Sequence, residues 1–191
     1  MNKQDILFQF FSRHFPFKND GLEDLLNLFE EDSYQKEEII LQPNSTDFTL
    51  RFVKSGFLRE YYTTNSKEVN INFYGANEFS TDLNSFFGGS KTQKWQQCLT
   101  AVNVLSLSKK QLDQYLKNYS CGHDIVQSSF QKALASKELF ERNKLTKSTE
   151  ELYKELQQKK PEWLQHIPQY HIASYLNVTP ETLSRVRKRI Y

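Results

Sequence analysis

The residues best equipped for chemistry in this chain lie in its last stretch, where Glu181, Thr182, Ser184, Arg185, Arg187, Lys188 and Arg189 crowd together. Leu183, Val186 and Ile190 recur among them at spacings of three and four, so they share one side of a helix. At about 100° per residue, Glu181, Arg185, Lys188 and Arg189 then point the other way, flanked by Thr182 and Ser184. Thr179–Tyr191 holds four basic residues and one acid, a charge of +3, while the whole chain carries only +2. Positive charge concentrated there suits a phosphate backbone.

Two helices and a turn must position these groups. Thr179 is a good N-cap, Pro180 suits the first helical position, and Glu181 favours the positive end of the helix dipole. A preceding helix is expected from Gln169 to Leu176, started by Pro168, with Ile172, Ala173 and Leu176 on one face. Asn177 ends it, because asparagine tolerates the left-handed conformation of such a turn. Helix, tight turn and basic second helix make a helix-turn-helix, in which the exposed N-terminal residues of the second helix reach base edges. Thr179, Glu181, Thr182, Ser184, Arg185, Arg187, Lys188 and Arg189 are therefore the candidate contacts to double-stranded DNA.

The phrase I-A-S-Y-L-N-V-T-P-E-T-L-S-R (172–185) resembles the DNA-binding end of the Crp/Fnr (catabolite activator protein-like) family of bacterial transcription regulators, and especially its Bacteroidetes-type branch. That family's E-T-x-x-R core is present as Glu181, Thr182 and Arg185. By that resemblance Arg185 reads a guanine and Glu181 a cytosine, pairings that base-edge chemistry allows. Pro180 stands where the family often has an arginine or another polar residue, which removes one possible base contact. Where many members continue into a C-terminal β-hairpin, this sequence stops at Tyr191.

Upstream, the pattern is α+β. Asp5 to Phe15 forms an amphipathic helix ended by Pro16, with Ile6, Leu7, Phe10 and Phe11 inward. Asp20-Gly21 opens a second, carrying Leu22, Leu25, Leu26 and Phe29. The period then changes to two. Glu38–Leu41 is a short strand, Leu50–Lys54 and Phe57–Thr63 flank a Ser55-Gly56 hairpin, Val69–Tyr74 alternates, and a further alternating stretch runs from Gln97 to Leu107. Short strands at this spacing build a β-roll or jelly roll. The resemblance implies the same: a cyclic-nucleotide-binding-like sensor domain. Its effector pocket would involve Arg59, Tyr61, Phe73, Phe79, Asp82, Lys91 and Lys94. The family's cyclic-nucleotide sensors hold the ribose with Gly-Glu and the phosphate with Arg-Ser. Here Thr81-Asp82-Leu83 stands in place of Gly-Glu-Leu, and no arginine occurs between Phe79 and Leu99. Lys91 or Lys94 offers a point charge but no bidentate fork. Cyclic AMP is not the expected effector, and no other cofactor is implied. Gly88-Gly89-Ser90-Lys91-Thr92 lacks the order and upstream glycine of a P-loop and is expected to be a flexible loop.

Gln111–Lys117 is a short helix, and His123–Leu145 a long one. Val126, Phe130, Ala133, Lys137 and Phe140 recur along it at alternating spacings of four and three, an apolar seam that suggests a partner helix. In the family this is the homodimer helix. Asn143–Thr149 is polar and reads as a hinge. Ser148-Thr-Glu-Glu151 is a capping box that opens a helix through Lys159, stopped by Pro161. Trp163, Leu164 and Ile167 then supply cover beneath the helix-turn-helix. The expected division is a sensor roll with N-terminal helices (1–120), a dimerisation helix and hinge (121–146) and a helix-turn-helix domain (147–191).

Other classes fare worse. His14, His123, His166 and His171 have no metal spacing, and no nucleophile or zinc motif emerges, so an enzyme is not expected. Cys98 and Cys121 give neither a disulfide framework nor a four-cysteine cluster. No apolar run approaches a membrane span and Met1–Ile6 lacks a signal pattern, so a cytoplasmic protein is expected. The expected function is a homodimeric transcription regulator on an approximately palindromic site, contacting RNA polymerase if it activates, with a small-molecule effector open. The alternative is a ligand- or protein-binding module whose roll acts without sequence-specific DNA binding.

Overall fold

A computed structural model describes residues 3–14, 21–119 and 121–190. Pro16 and Asp20, expected to end and open helices, lie outside the described residues. The chain begins with α1 (Lys3–His14) and α2 (Leu22–Asn27) and continues through β1 (Glu30–Tyr34), β2 (Ile39–Leu41), β3 (Thr49–Ser55), β4 (Leu58–Thr63), β5 (Glu68–Tyr74) and β6 (Phe79–Ser80). After α3 (Leu83–Gly88) come β7 (Trp95–Cys98), β8 (Val102–Ser108), α4 (Lys109–Asn118) and the long α5 (Cys121–Thr146). Four helices follow: α6 (Thr149–Lys159), α7 (Pro161–His166), α8 (Gln169–Tyr175) and α9 (Pro180–Ile190).

The strands form two four-stranded antiparallel sheets, ordered β1-β8-β3-β6 and β2-β7-β4-β5. Period-two alternation sends successive side chains to opposite faces, and here both faces of each sheet are covered over much of their area, β1 excepted. Phe52, Leu105 and Leu107 leave the first sheet outward and bury Leu7, Phe11, Leu22, Leu25, Leu26 and Phe29 of the N-terminal helices. Val53, Leu58, Cys98, Val102 and Val104 pack between the sheets. Phe73 leaves the second sheet on its outer side and joins Leu152, Tyr153, Leu156, Trp163, Ile172, Leu183 and Val186 of the C-terminal helices.

Several expectations need correction. Glu30–Tyr34 pairs with β8 although its sequence, E-E-D-S-Y, has no apolar alternation, because four of its five residues are exposed. The stretch Gln97–Leu107 is two strands with a break near Ala101. Pro161 does not merely stop α6; it sits at the first position of α7, where its missing donor is harmless. The expected loop begins one residue late, since Gly88 ends α3 and Gly89, at φ 67°, caps it before 90–94 run on as loop. The expected hinge at 143–149 is mostly helix. α5 runs to Thr146, and Asn143 and Lys147 are tied to Glu155 at 3.2 and 2.5 Å. Ser148 does form the capping box. Its hydroxyl accepts from the Glu151 amide, while the Glu151 carboxylate accepts from the Ser148 amide at 2.8 Å.

Candidate nucleic-acid interface

The turn before α9 is built as the residue types require. Asn177 adopts φ 57°. The Val178 amide donates to Ala173 O and the Asn177 amide to Ser174 O, both at 3.0 Å. This pair of bonds is a Schellman motif, and Val178 packs on the C-terminal core beside it, the usual apolar companion. Thr179 Oγ1 then accepts from the Thr182 amide at 3.2 Å, capping α9. Ala173 is wholly buried in the C-terminal core, where α8 packs on α9.

α9 buries Leu183 and Val186 and half-buries Ile190. Thr179, Glu181, Ser184, Arg185, Lys188 and Arg189 are exposed, and Thr182 is half-buried. Glu181 accepts from its own backbone amide and from the Thr179 hydroxyl, and Arg185 lies within electrostatic reach; together these hold its carboxyl below the usual range. Arg187 departs from the set: it is half-buried, with its Nε sealed from solvent and unpartnered. It lies beside the buried stripe, and the one-turn spacing from Leu183 explains why.

The seven residues expected to line an effector pocket are not brought together. Arg59, Tyr61 and Phe73 lie on the outer face of the second sheet. Arg59 stacks on Tyr61 at 3.9 Å, and Phe73 packs edge-on to Trp163 at 5.2 Å. Phe79 joins Phe10 and Phe52 in an aromatic cluster beneath α1, at 5.3 and 5.0 Å. Lys91 is exposed. Asp82 and Lys94 meet elsewhere, 3.6 Å apart inside the roll.

That interior is a closed polar network which the sequence did not reveal. Lys94 Nζ lies 3.4 Å from Glu60. Asp82 caps α3 and accepts from Thr92 Oγ1 at 2.6 Å. Gln96 donates to Glu60 at 3.2 Å and accepts from Ser80 at 2.9 Å. Asp47 takes Arg51 at 3.1 Å, Thr81 at 3.1 Å and the Asp82 amide at 3.1 Å. Burial raises the Glu60 pKa, with Lys94 and Gln96 opposing it. Burial works against the charge on Lys94, yet Glu60 and Asp82 hold its pKa above the usual value. Three carboxylates thus face two cations, and both cations are engaged. A cyclic phosphodiester would meet an excess of carboxylates, with Arg51 Nε, buried and unpartnered, as the cationic donor left to it, so these residues fit it poorly.

On α5, Phe130, Ala133, Leu134 and Lys137 are exposed along one side, and Val126 is half-buried beside them. Phe140 leaves that seam and stacks on Tyr175 of α8 at 4.7 Å, half-buried. Among the described residues, no group of three or more His, Cys, Asp or Glu could hold a metal ion, and no helix is long and apolar enough to cross a membrane. Burial pushes the Cys98 thiol up to about 12, so it stays protonated and inert at neutral pH.

Residues 31–119 match a family model described as the cyclic nucleotide-binding domain. The architecture of the roll, with the helices that follow, is that of solved bacterial regulators. FixK2 from Bradyrhizobium japonicum superposes with a TM-score of 0.71 at 16% identity, over 85% of this chain and 84% of that one. The c-di-GMP-responsive global regulator CLP of Xanthomonas campestris gives 0.65 at 18%, over 88% and 89%. The catabolite activator protein of Thermus thermophilus gives 0.56 at 17%, over 91% and 85%. At such identities the likeness is one of fold. No curated protein matches the chain in sequence.

Proposed function

We propose that the chain is a DNA-binding transcription regulator of the Crp/Fnr type, of the family's Bacteroidetes-type branch, cytoplasmic and without enzymatic activity. The observation that carries this reading is the exposed face of α9. A Schellman turn and a threonine cap present Glu181, Ser184, Arg185, Lys188 and Arg189 to solvent. That is the arrangement a major groove admits. Arg185 and Glu181 read bases. Thr179, Thr182, Ser184, Lys188 and Arg189 touch the backbone or flanking bases, while Arg187 acts from the edge of the core. The fold shared with solved regulators supports the same reading.

Two copies associate through Val126, Phe130, Ala133 and Lys137 of α5, so two α9 helices enter successive grooves of a palindromic site. If the protein activates, RNA polymerase is a further partner. Cyclic AMP is not the effector, because Asp47, Glu60 and Asp82 outnumber Arg51 and Lys94 and leave only Arg51 Nε without a partner. Selection of bound duplexes from random DNA tests this function. A two-fold motif with half-sites about one helical turn apart is the expected result, and the absence of any enriched sequence contradicts it.

A further inference from the structure

The C-terminal helices rest on the roll through a polar joint that neither the DNA-binding face nor the roll interior uses. β5 is an edge strand, and the outward backbone groups of an edge strand lack a neighbour. Ser174 of α8 supplies one. Its hydroxyl accepts from the Asn70 amide at 3.0 Å and donates to Glu68 O at 3.2 Å, so one side chain replaces a paired strand. Beside it, His171 of α8 is buried. Its Nδ1 faces two donors, Asn70 Nδ2 at 3.2 Å and Arg59 Nη1 at 3.5 Å. Two donors require that Nδ1 be the unprotonated, accepting nitrogen.

We propose that this joint is a latch released by acid: protonation of His171 undocks α8 from β5. A proton on Nδ1 removes both acceptor bonds and sets an imidazolium against the buried guanidinium of Arg59. Among the described residues, Glu68 alone offsets part of that charge. Glu68, on β5, is the one nearby carboxylate, and Arg59 already holds it at 2.5 Å. Gln97 of β7 is neutral and bonds Arg59 at 2.8 and 2.5 Å. Tyr61 of β4 lies under Arg59, and Tyr170, on α8 itself, packs its ring 4.1 Å from the imidazole. Asn70 supplies only its amide donor to the ring; its own Oδ1 is sealed and unpartnered.

Burial, and then Arg59, hold the docked imidazole at about 4, with Glu68 opposing. A released histidine titrates near 6.5. The docked value is the lower one, so the stabilisation is complete above about 6.5 and is lost as pH falls toward 4. Opening should therefore become about tenfold more favourable between pH 7.5 and 5.5. α9 follows α8 through the Asn177 turn, so the latch sets how the cationic face stands relative to the roll. The latch does not depend on what α9 binds.

Amide hydrogen exchange on the full chain tests it, read as protection factors so that the intrinsic pH dependence of exchange divides out. Asn70 protection should fall about tenfold from pH 7.5 to 5.5 while that of Leu105, deep in β8, holds. His171→Gln, which keeps an acceptor that does not titrate, should flatten the Asn70 profile. A flat profile in the unaltered chain overturns the latch. So does a parallel loss at Leu105, which would mean the roll itself is unfolding, or an unchanged profile in His171→Gln. Should that variant fail to fold, the ring titration of His171 by nuclear magnetic resonance decides: a midpoint near 6.5 in the docked protein contradicts the latch, and one near 4 supports it.

Discussion

On α9, Arg185, Lys188 and Arg189 are exposed, and none has a salt bridge among the described residues. Inside the roll, Arg51 and Lys94 are enclosed by Asp47, Glu60 and Asp82. The same two residue types therefore have opposite availability. Cations at the surface keep their hydration and can exchange it for phosphate, with release of counterions. Cations in the roll have given up most of their hydration and hold carboxylates in its place, with only Arg51 Nε unpartnered, so an incoming anion must compete with those carboxylates. The positions best placed to bind an anion are thus those outside the domain whose family model is described by nucleotide binding.

Leu183→Ala should have the largest effect. Leu183 is 1% exposed between α9 and the C-terminal core, and truncating such a leucine costs about 3–4 kcal/mol. Urea unfolding should show that loss in the C-terminal helices, with binding of DNA failing alongside, while the buried amides of β8 stay protected. Loss at β8 as well would show that the two regions unfold together and that the contrast between them is not energetic.

Lys94→Met probes the other side. It leaves Glu60 and Asp82 without their cation, and should cost about 2–3 kcal/mol at pH 7, less than for a wholly buried pair because Lys94 is partly exposed. The Glu60 pKa is already raised by burial, and losing Lys94 raises it further. A carboxyl whose folded pKa lies above its unfolded value destabilises the fold at high pH, and that penalty fades as pH falls toward the unfolded value. The variant's deficit should accordingly shrink between pH 7 and 5, with DNA affinity unchanged throughout. A deficit that does not vary with pH would remove Glu60 from the account.

The two regions were also unequally legible in the sequence. α9 could be read because one of its faces is buried and the other wet: Leu183 and Val186 fix the inner side, and 100° per residue fixes Arg185 on the outer. Arg187 borders the apolar stripe, where helical angle alone gives no side, and the structure half-buries it. In the second sheet, alternation correctly puts Arg59 and Tyr61 on one face, yet does not say which. Leu58 and Glu60 face the roll interior, while Arg59 and Tyr61 face α8, and all four are buried. When both faces of a strand are covered, the polar–apolar contrast that orients it disappears. A register shift in the β4–β5 pairing, between Glu60 and Tyr61, adds to this, since a bulge re-aims the side chains around it. β1 was missed for the converse reason: its side chains are mostly exposed and polar, and pairing with β8 alone makes it a strand.

The central claim is that the outer face of α9 reads DNA through Arg185. Affinity for the selected duplex should be measured for the unaltered chain and for Arg185→Ala, by fluorescence anisotropy over a range of salt. The account predicts a loss of about 1–3 kcal/mol at the selected site and relaxed discrimination at one base pair of each half-site, with non-specific binding nearly retained. Equal affinity of the two proteins for that site at every salt concentration would contradict it.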